Sequence, residues 1–225
     1  MSLRGSLIAL AVGLAAARHR HATLAADGGG AAGRLLRGSS SVVNWDYSEH
    51  GRNWNMGQCC IGVGQSPLNV SKAVAVEPDG ELLFHAYRVH EEPVRMLNDG
   101  RRLVAELDSR IGSIGIGRAF PGDLTDLWDL WKIEAHAPSE HTFEGRTVAL
   151  ELQLYHKRRG TVGEPSPDAI AVVAFGFVAS ASPLGFVNAL RQGGLPASQG
   201  TETLVNRVSP ARLDFTKLFG PSGGT

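Results

Sequence analysis

From Val148 to His156 the residues alternate with period two. Val148, Leu150, Leu152 and Leu154 fall on one side, and Ala149, Glu151, Gln153 and Tyr155 on the other. Successive side chains of a strand point to opposite faces, so this stretch reads as a strand with one apolar and one polar face. Downstream, Ile170 to Val178 is an unbroken apolar run, the pattern of a strand covered on both faces. Leu127 to Ala137 reads as a further strand. Asn98-Asp99-Gly100 is a turn signal between two apolar runs, Val94–Leu97 and Leu103–Leu107. Pro183 to Gln192 predicts a short helix stopped by Gly193. Long stretches of helical period and internal repeats are absent. Short strands between Gly and Pro turns predict one mostly-β domain.

Composition excludes several function classes. The 225 residues are 43% hydrophobic and 20% charged, which is ordinary for a folded domain. Lys and Arg together number 22, as do Asp and Glu, so no nucleic-acid partner is expected. The 2 cysteines, Cys59 and Cys60, make neither a disulfide scaffold nor a four-thiolate zinc site. A bridge between adjacent cysteines is strained.

The first 26 residues contain no acid. Arg4 precedes an apolar run, Leu7–Ala17, of signal-peptide length and too short to span a bilayer as a helix. Ala15–Ala17 and Ala25–Ala26 offer cleavage sites. The alternative is a mitochondrial or plastid transit peptide, for which Arg18, Arg20, Arg34, Arg37 and Ser39–Ser41 are suitable. The expected organisation is a signal or transit peptide over 1–26, a flexible linker over 27–44 rich in Gly, Ala and Ser, and a domain over 45–225. The expected location is the secretory pathway or outside the cell, with the mitochondrion or plastid as alternative and no transmembrane segment in the mature chain.

Four segments, in order, resemble the α-class carbonic anhydrases. They are Trp45-Asp46-Tyr47 with His50-Gly51 and Trp54; Gly64-Gln65-Ser66-Pro67-Leu68-Asn69; Leu97-Asn98-Asp99-Gly100; and His136-Ala137-Pro138-Ser139-Glu140-His141-Thr142, with Glu151–His156 following. The resemblance spans roughly residues 45–221. It implies a large twisted, mainly antiparallel sheet with short peripheral helices. It also implies carbon dioxide hydration by a zinc ion on three histidines, the metal turning its bound water into hydroxide near neutral pH.

The three ligand positions carried over by motif are Glu134, His136 and Gln153, and only His136 is the expected residue. A carboxylate at Glu134 can ligate zinc, but it adds negative charge and should raise the pKa of a bound water. The neutral amide of Gln153 is a poor ligand. The proton-shuttle position holds Arg101, whose guanidinium does not exchange protons near neutral pH. Glu151 matches the carboxylate that orients a zinc-bound histidine. Glu140 matches the residue that holds a threonine on the zinc-bound hydroxide. That threonine lies in a segment absent here, so the resemblance implies a fold lacking its C-terminal strands and a Glu140 without its partner. The same segment carries the usual partner of a cysteine near Cys59, which leaves the thiols free or linked to another chain.

Each position also has a plainer reading. His136 is either a surviving ligand or a histidine satisfied by strand neighbours. Glu134 and Gln153 read as polar residues in a solvated cleft, and His141 and His156 as hydrogen-bonding groups. Trp45, Tyr47 and Trp54 would pin the N-terminal segment to the sheet, and Gln65 and Asn69 would satisfy buried backbone groups. Asn69-Val70-Ser71 is a glycosylation sequon, and Lys157-Arg158-Arg159 reads as a solvated loop. The expected function is a non-catalytic binding or structural module with an unidentified protein partner. No cofactor is expected, with zinc bound only if the degenerate site still grips it. The alternatives are a zinc-dependent hydratase with altered ligands, a truncated product, and a subunit of a larger assembly.

Overall fold

The strand signals between Val94 and Ser180 converge on one antiparallel sheet of ten strands. The computed structural model describes residues 2–4, 10–14, 67–70, 82–107, 111–116, 127–166, 169–181, 185–192, 194–205 and 213–218. In chain order the strands are β1 (Ser2–Arg4), β2 (Leu10–Leu14), β3 (Asn69–Val70), β4 (Leu82–His85), β5 (Val89–His90), β6 (Val94–Asn98), β7 (Leu103–Glu106), β8 (Ser113–Ile116), β9 (Leu127–His136), β10 (Thr142–Phe143), β11 (Leu150–Arg158), β12 (Ile170–Ser180), β13 (Glu202–Val205) and β14 (Leu213–Asp214). One α-helix, α1 (Gly185–Gln192), and a 3₁₀ turn at Phe215–Leu218 complete the described elements. The main path runs β1-β12-β11-β9-β7-β6-β13, with β2 also on β12, and β8 joining β4 to β9. Two small pairs, β3 with β10 (parallel) and β5 with β14, lie outside it.

The alternation in β11 sorts two kinds of interior. Leu152 and Leu154 enter the apolar core with Ile133 and Ala135 of β9, Ile114 of β8, and Val173 and Phe175 of β12. Phe186, Ala189 and Leu190 of α1 and Phe215 join the same core, the Phe186 and Phe215 rings meeting edge to face with centroids 4.9 Å apart. Burying each of the Val, Leu, Ile and Phe side chains among these contributes about 1.5–3 kcal/mol. The opposite parity of β9 and β11 carries Glu134, His136, Glu151 and Gln153, and these are buried too. The polar face expected to meet solvent is therefore a second, polar interior.

The Asn98–Gly100 turn is built by its own side chains. Gly100 N–H donates to Asn98 Oδ1 at 2.8 Å, and Asp99 Oδ1 accepts the N–H of Arg101 and of Arg102 at 2.8 and 2.9 Å. Gly100 sits at φ +93°, and a Cβ there would lie 2.6 Å from the Gln199 side chain, so the position requires glycine. The turn delivers Arg102 to the start of β7, beside β9.

Several expectations change. Lys157 and Arg158 end β11 rather than entering a solvated loop, with Lys157 above the Trp131 ring and Arg158 above Trp128. Arg159 pairs with Asp129 at 2.6 Å and reaches Ser113. Asn69 is exposed rather than buried in packing, and its Oδ1 accepts from Thr142 Oγ1 and Gly145 N–H. Residues 2–4 and 10–14 are strands paired with β12. Trp45, Tyr47, Trp54, Cys59, Cys60, Gln65 and the linker lie outside the described residues. Among the described residues no helix is long and apolar enough to cross a membrane.

Candidate functional site

Neighbouring central strands bring the five acid, amide and imidazole positions of the motif together. In the β9–β11 register Glu134 faces Gln153 and His136 faces Glu151, while Val104 of β7 flanks Glu134 from the other side. Glu140 and His141 follow in the loop after β9.

Glu134 is 0% exposed, yet it is ionised. Arg102 Nη1 lies 2.7 Å from Oε2 and Lys132 Nζ 2.7 Å from Oε1. His136 Nε2 is 3.6 Å from Oε2. Burial by itself would raise the carboxyl pKa, but His136, Lys132 and Arg102 together bring it down from 4.5 to about 2. Burial likewise works against the charge on Arg102, but Glu134, Tyr155 and Asp99 outweigh it and hold the guanidinium pKa above its ordinary value. Asp99 also fixes Arg102 from behind, Nε to Oδ2 at 3.1 Å. The Lys132 ammonium stands 4.1 Å above the centre of the Tyr155 ring, a cation–π contact.

The other half of the network is acidic. Glu151, also 0% exposed, accepts from the His141 backbone N–H at 2.9 Å and bonds the His141 ring Nδ1 at 2.6 Å. Burial opposes its charge, but these bonds and that from Gln153 hold its pKa below the ordinary carboxylate range. The Gln153 amide nitrogen donates to Glu140 Oε2 at 2.7 Å and to Glu151 Oε1 at 2.8 Å. Its carbonyl accepts from the Tyr155 hydroxyl at 2.9 Å. Two acids on the nitrogen side and a hydroxyl on the oxygen side fix the amide orientation. Burial, then Glu134, push the Tyr155 hydroxyl pKa up, so it stays a proton donor. His136, 2% exposed, lies between the acids, its Nδ1 3.4 Å from Glu140 Oε1.

The structure thus assembles Glu134, His136, Glu140, Glu151 and Gln153. Glu140, expected to lack its partner, is engaged by Gln153. Glu151 holds His141 instead of orienting a metal-bound histidine. Glu134 lies in no solvated cleft but in an ion cluster. Arg101 stays at the exposed turn, and its neighbour Arg102 is the one that reaches inward. Sequence reasoning missed Arg102, Lys132 and Tyr155. Period two already placed Lys132 on the face of Glu134 and Tyr155 on the face of Gln153.

The residues at the motif's ligand positions do not fit a zinc ion. Each Glu134 oxygen already faces a cation, and a divalent ion there would meet the charges of Arg102 and Lys132. Gln153 turns its amide nitrogen, which has no lone pair to give, toward the acids. Among the described residues no group of three or more His, Cys, Asp or Glu side chains is placed to hold a metal. What the arrangement does chemically is neutralise itself: two basic side chains offset the buried acid, and one amide bridges the other two.

The family model for eukaryotic-type carbonic anhydrases matches residues 49–206, well over half of the chain. This chain belongs to the α-carbonic anhydrase family. It is 30% identical over 202 residues to carbonic anhydrase 4 of Oryctolagus cuniculus, covering 83% of this chain and 59% of that protein. With carbonic anhydrase Nec1 of Nesocodon mauritianus it is 31% identical over 127 residues, covering 56% of this chain and 42% of the relative. The chain therefore spans about half the length of these curated relatives. The solved α-carbonic anhydrase of Photobacterium profundum superposes with a TM-score of 0.55 at 20% identity, covering 80% of this chain and 73% of that one, a likeness of fold.

Proposed function

We propose that this member of the carbonic anhydrase family does not hydrate carbon dioxide and works as a binding or structural module. One observation carries the reading: the carboxylate of Glu134, where the family motif has a zinc ligand, is clamped by Arg102 and Lys132 at 2.7 Å each. Charge that a metal would supply is supplied by the protein. Hydration also needs a water made acidic and a route for its proton. The chain offers an amide at one ligand position and arginine at the shuttle position, and arginine keeps its proton at any physiological pH. The ion pairs of Glu134 with Arg102 and Lys132, and the bonds of Gln153 to Glu140 and Glu151, tie β9, β11 and the loop after β9 together, as a scaffold requires.

Stopped-flow carbon dioxide hydration tests this. With zinc added at micromolar concentration, the protein is expected to leave the rate at that of buffer, with or without a sulfonamide inhibitor. A zinc-dependent, sulfonamide-inhibited rate well above buffer would show a working hydratase with altered ligands.

A further inference from the structure

Across the 225 residues a single stretch reads Asn-X-Ser/Thr, namely Asn69-Val70-Ser71. In the secretory pathway such an asparagine is an acceptor for N-linked sugar, attached through its side-chain nitrogen. The motif leaves open whether the folded protein tolerates the sugar. For that, the side chain must reach solvent, and the amide nitrogen must not already hold the structure together.

Asn69 meets both conditions. It is exposed, in the two-residue strand β3, where it pairs in parallel with Thr142 of β10. Its Oδ1 accepts the Gly145 N–H at 2.8 Å and the Thr142 hydroxyl at 3.0 Å. A backbone N–H only donates, so the bond from Gly145 identifies the oxygen end of the amide and leaves Nδ2 at the other. Nδ2 makes no hydrogen bond among the described residues. The neighbouring residues 144–147 are exposed as well, and the space beside Gly145 is open: a Cβ built there would meet nothing within 4 Å.

We propose that Asn69 Nδ2 carries an N-linked glycan. The co-reactant is a lipid-linked oligosaccharide. The bond from the first sugar's C1 to the lipid pyrophosphate oxygen breaks, the C1–Nδ2 bond forms, Nδ2 releases one proton, and the lipid pyrophosphate leaves. Nδ2 keeps its second hydrogen and Oδ1 keeps its lone pairs, so the bonds from Gly145 and Thr142 survive the addition. Ser71 enters only as sequence, because the transferase reads the chain before it folds. The inference rests on entry into the secretory pathway and is independent of the Glu134 cluster.

Translation of the full chain in the presence of endoplasmic-reticulum microsomes tests it, with protection from added protease as the measure of entry. The protected chain is expected to show one upward step in apparent mass that a peptide N-glycosidase removes, leaving an aspartate at position 69 by mass spectrometry. Asn69→Gln and Ser71→Ala are each expected to abolish the step, and Ser71→Thr to keep it. Ser71→Ala leaves the Asn69 side chain itself unchanged, and the sugar is added before folding, so misfolding does not imitate the loss. A protected chain without the step, or a step that survives Asn69→Gln, would overturn the acceptor site. A chain that stays outside the microsomes would overturn the proposal through its localisation, and the protection assay tells that failure from the other two.

Discussion

Glu134→Gln is expected to lower the unfolding free energy by about 3 kcal/mol, although it changes one atom and keeps the side-chain shape. The amide cannot neutralise Arg102 and Lys132, which converge on that point at 2.7 Å each. Removing one member of a buried ion cluster costs about 3–5 kcal/mol in general, because the remaining charges are left desolvated. Arg102 is 32% and Lys132 18% exposed, so both recover some hydration and the lower end applies. The depressed pKa gives the same size: a shift from 4.5 to about 2 corresponds to about 3 kcal/mol. A carboxyl whose pKa is lower in the folded state stabilises the protein above its unfolded pKa. That contribution is lost as the pH falls from 4.5 toward 2. Urea unfolding at pH 7 measures the effect as a lowered midpoint at unchanged slope. A loss below about 0.5 kcal/mol, the size of a surface substitution, would mean that the cations do not depend on this carboxylate.

Acid is expected to weaken the fold well before Glu134 titrates, through His156. This imidazole is 0% exposed among core residues, and its Nε2 is hydrogen-bonded to the Tyr87 hydroxyl. Burial disfavours the imidazolium and lowers the His156 pKa from 6.5 to about 3, against smaller opposing contributions from the backbone at Ala171 and Leu154 and from Asp129. Burial raises the Tyr87 hydroxyl pKa, so that group donates and the imidazole nitrogen accepts. Between pH 6.5 and 3 the unfolded chain binds a proton that the folded chain refuses, so stability falls as the pH falls through that window. The full difference is about 5 kcal/mol, comparable with the whole stability of many domains. Unfolding free energy is expected to be flat above pH 7 and to drop steadily from pH 6.5. In His156→Gln, which keeps an acceptor for Tyr87 but does not titrate, the decline between pH 6.5 and 4.5 should vanish. An unchanged pH profile in that variant would assign the acid sensitivity elsewhere.

The sheet was legible because its signals are local. The Val148–His156 alternation becomes β11, the apolar run becomes β12, and the Asn98–Gly100 turn joins β6 to β7, all within one or two residues. The short-helix signal becomes α1, Gly185–Gln192. The positions of the site were legible for the same reason, since period two and strand pairing place Glu134, His136, Glu151 and Gln153 together. Their environment was not. A buried acid is unfavourable unless a cation is close, and the nearest cations come from a turn 32 residues upstream, at Arg102, and from a lysine that period two alone does not aim. Reading Glu134 as a solvated acid was the reasonable choice for an isolated strand and the wrong one for a strand between β7 and β11. In the basic run Lys157–Arg159, Arg159 does lie in an exposed turn, but Lys157 and Arg158 extend β11, because the Trp131 and Trp128 rings that they cover sit on β9. The N-terminal segment carries two readings at once: its composition suits a targeting core and also the strand that pairs with β12.

Two protein cations hold the carboxylate that the family motif gives to a metal, and zinc stoichiometry decides whether they exclude one. Purified protein dialysed against micromolar zinc at pH 7.5, then against buffer alone, is expected to retain far less than one zinc per chain by elemental analysis, with His136→Ala no different. About one tightly held zinc per chain, lost in His136→Ala, would contradict the account.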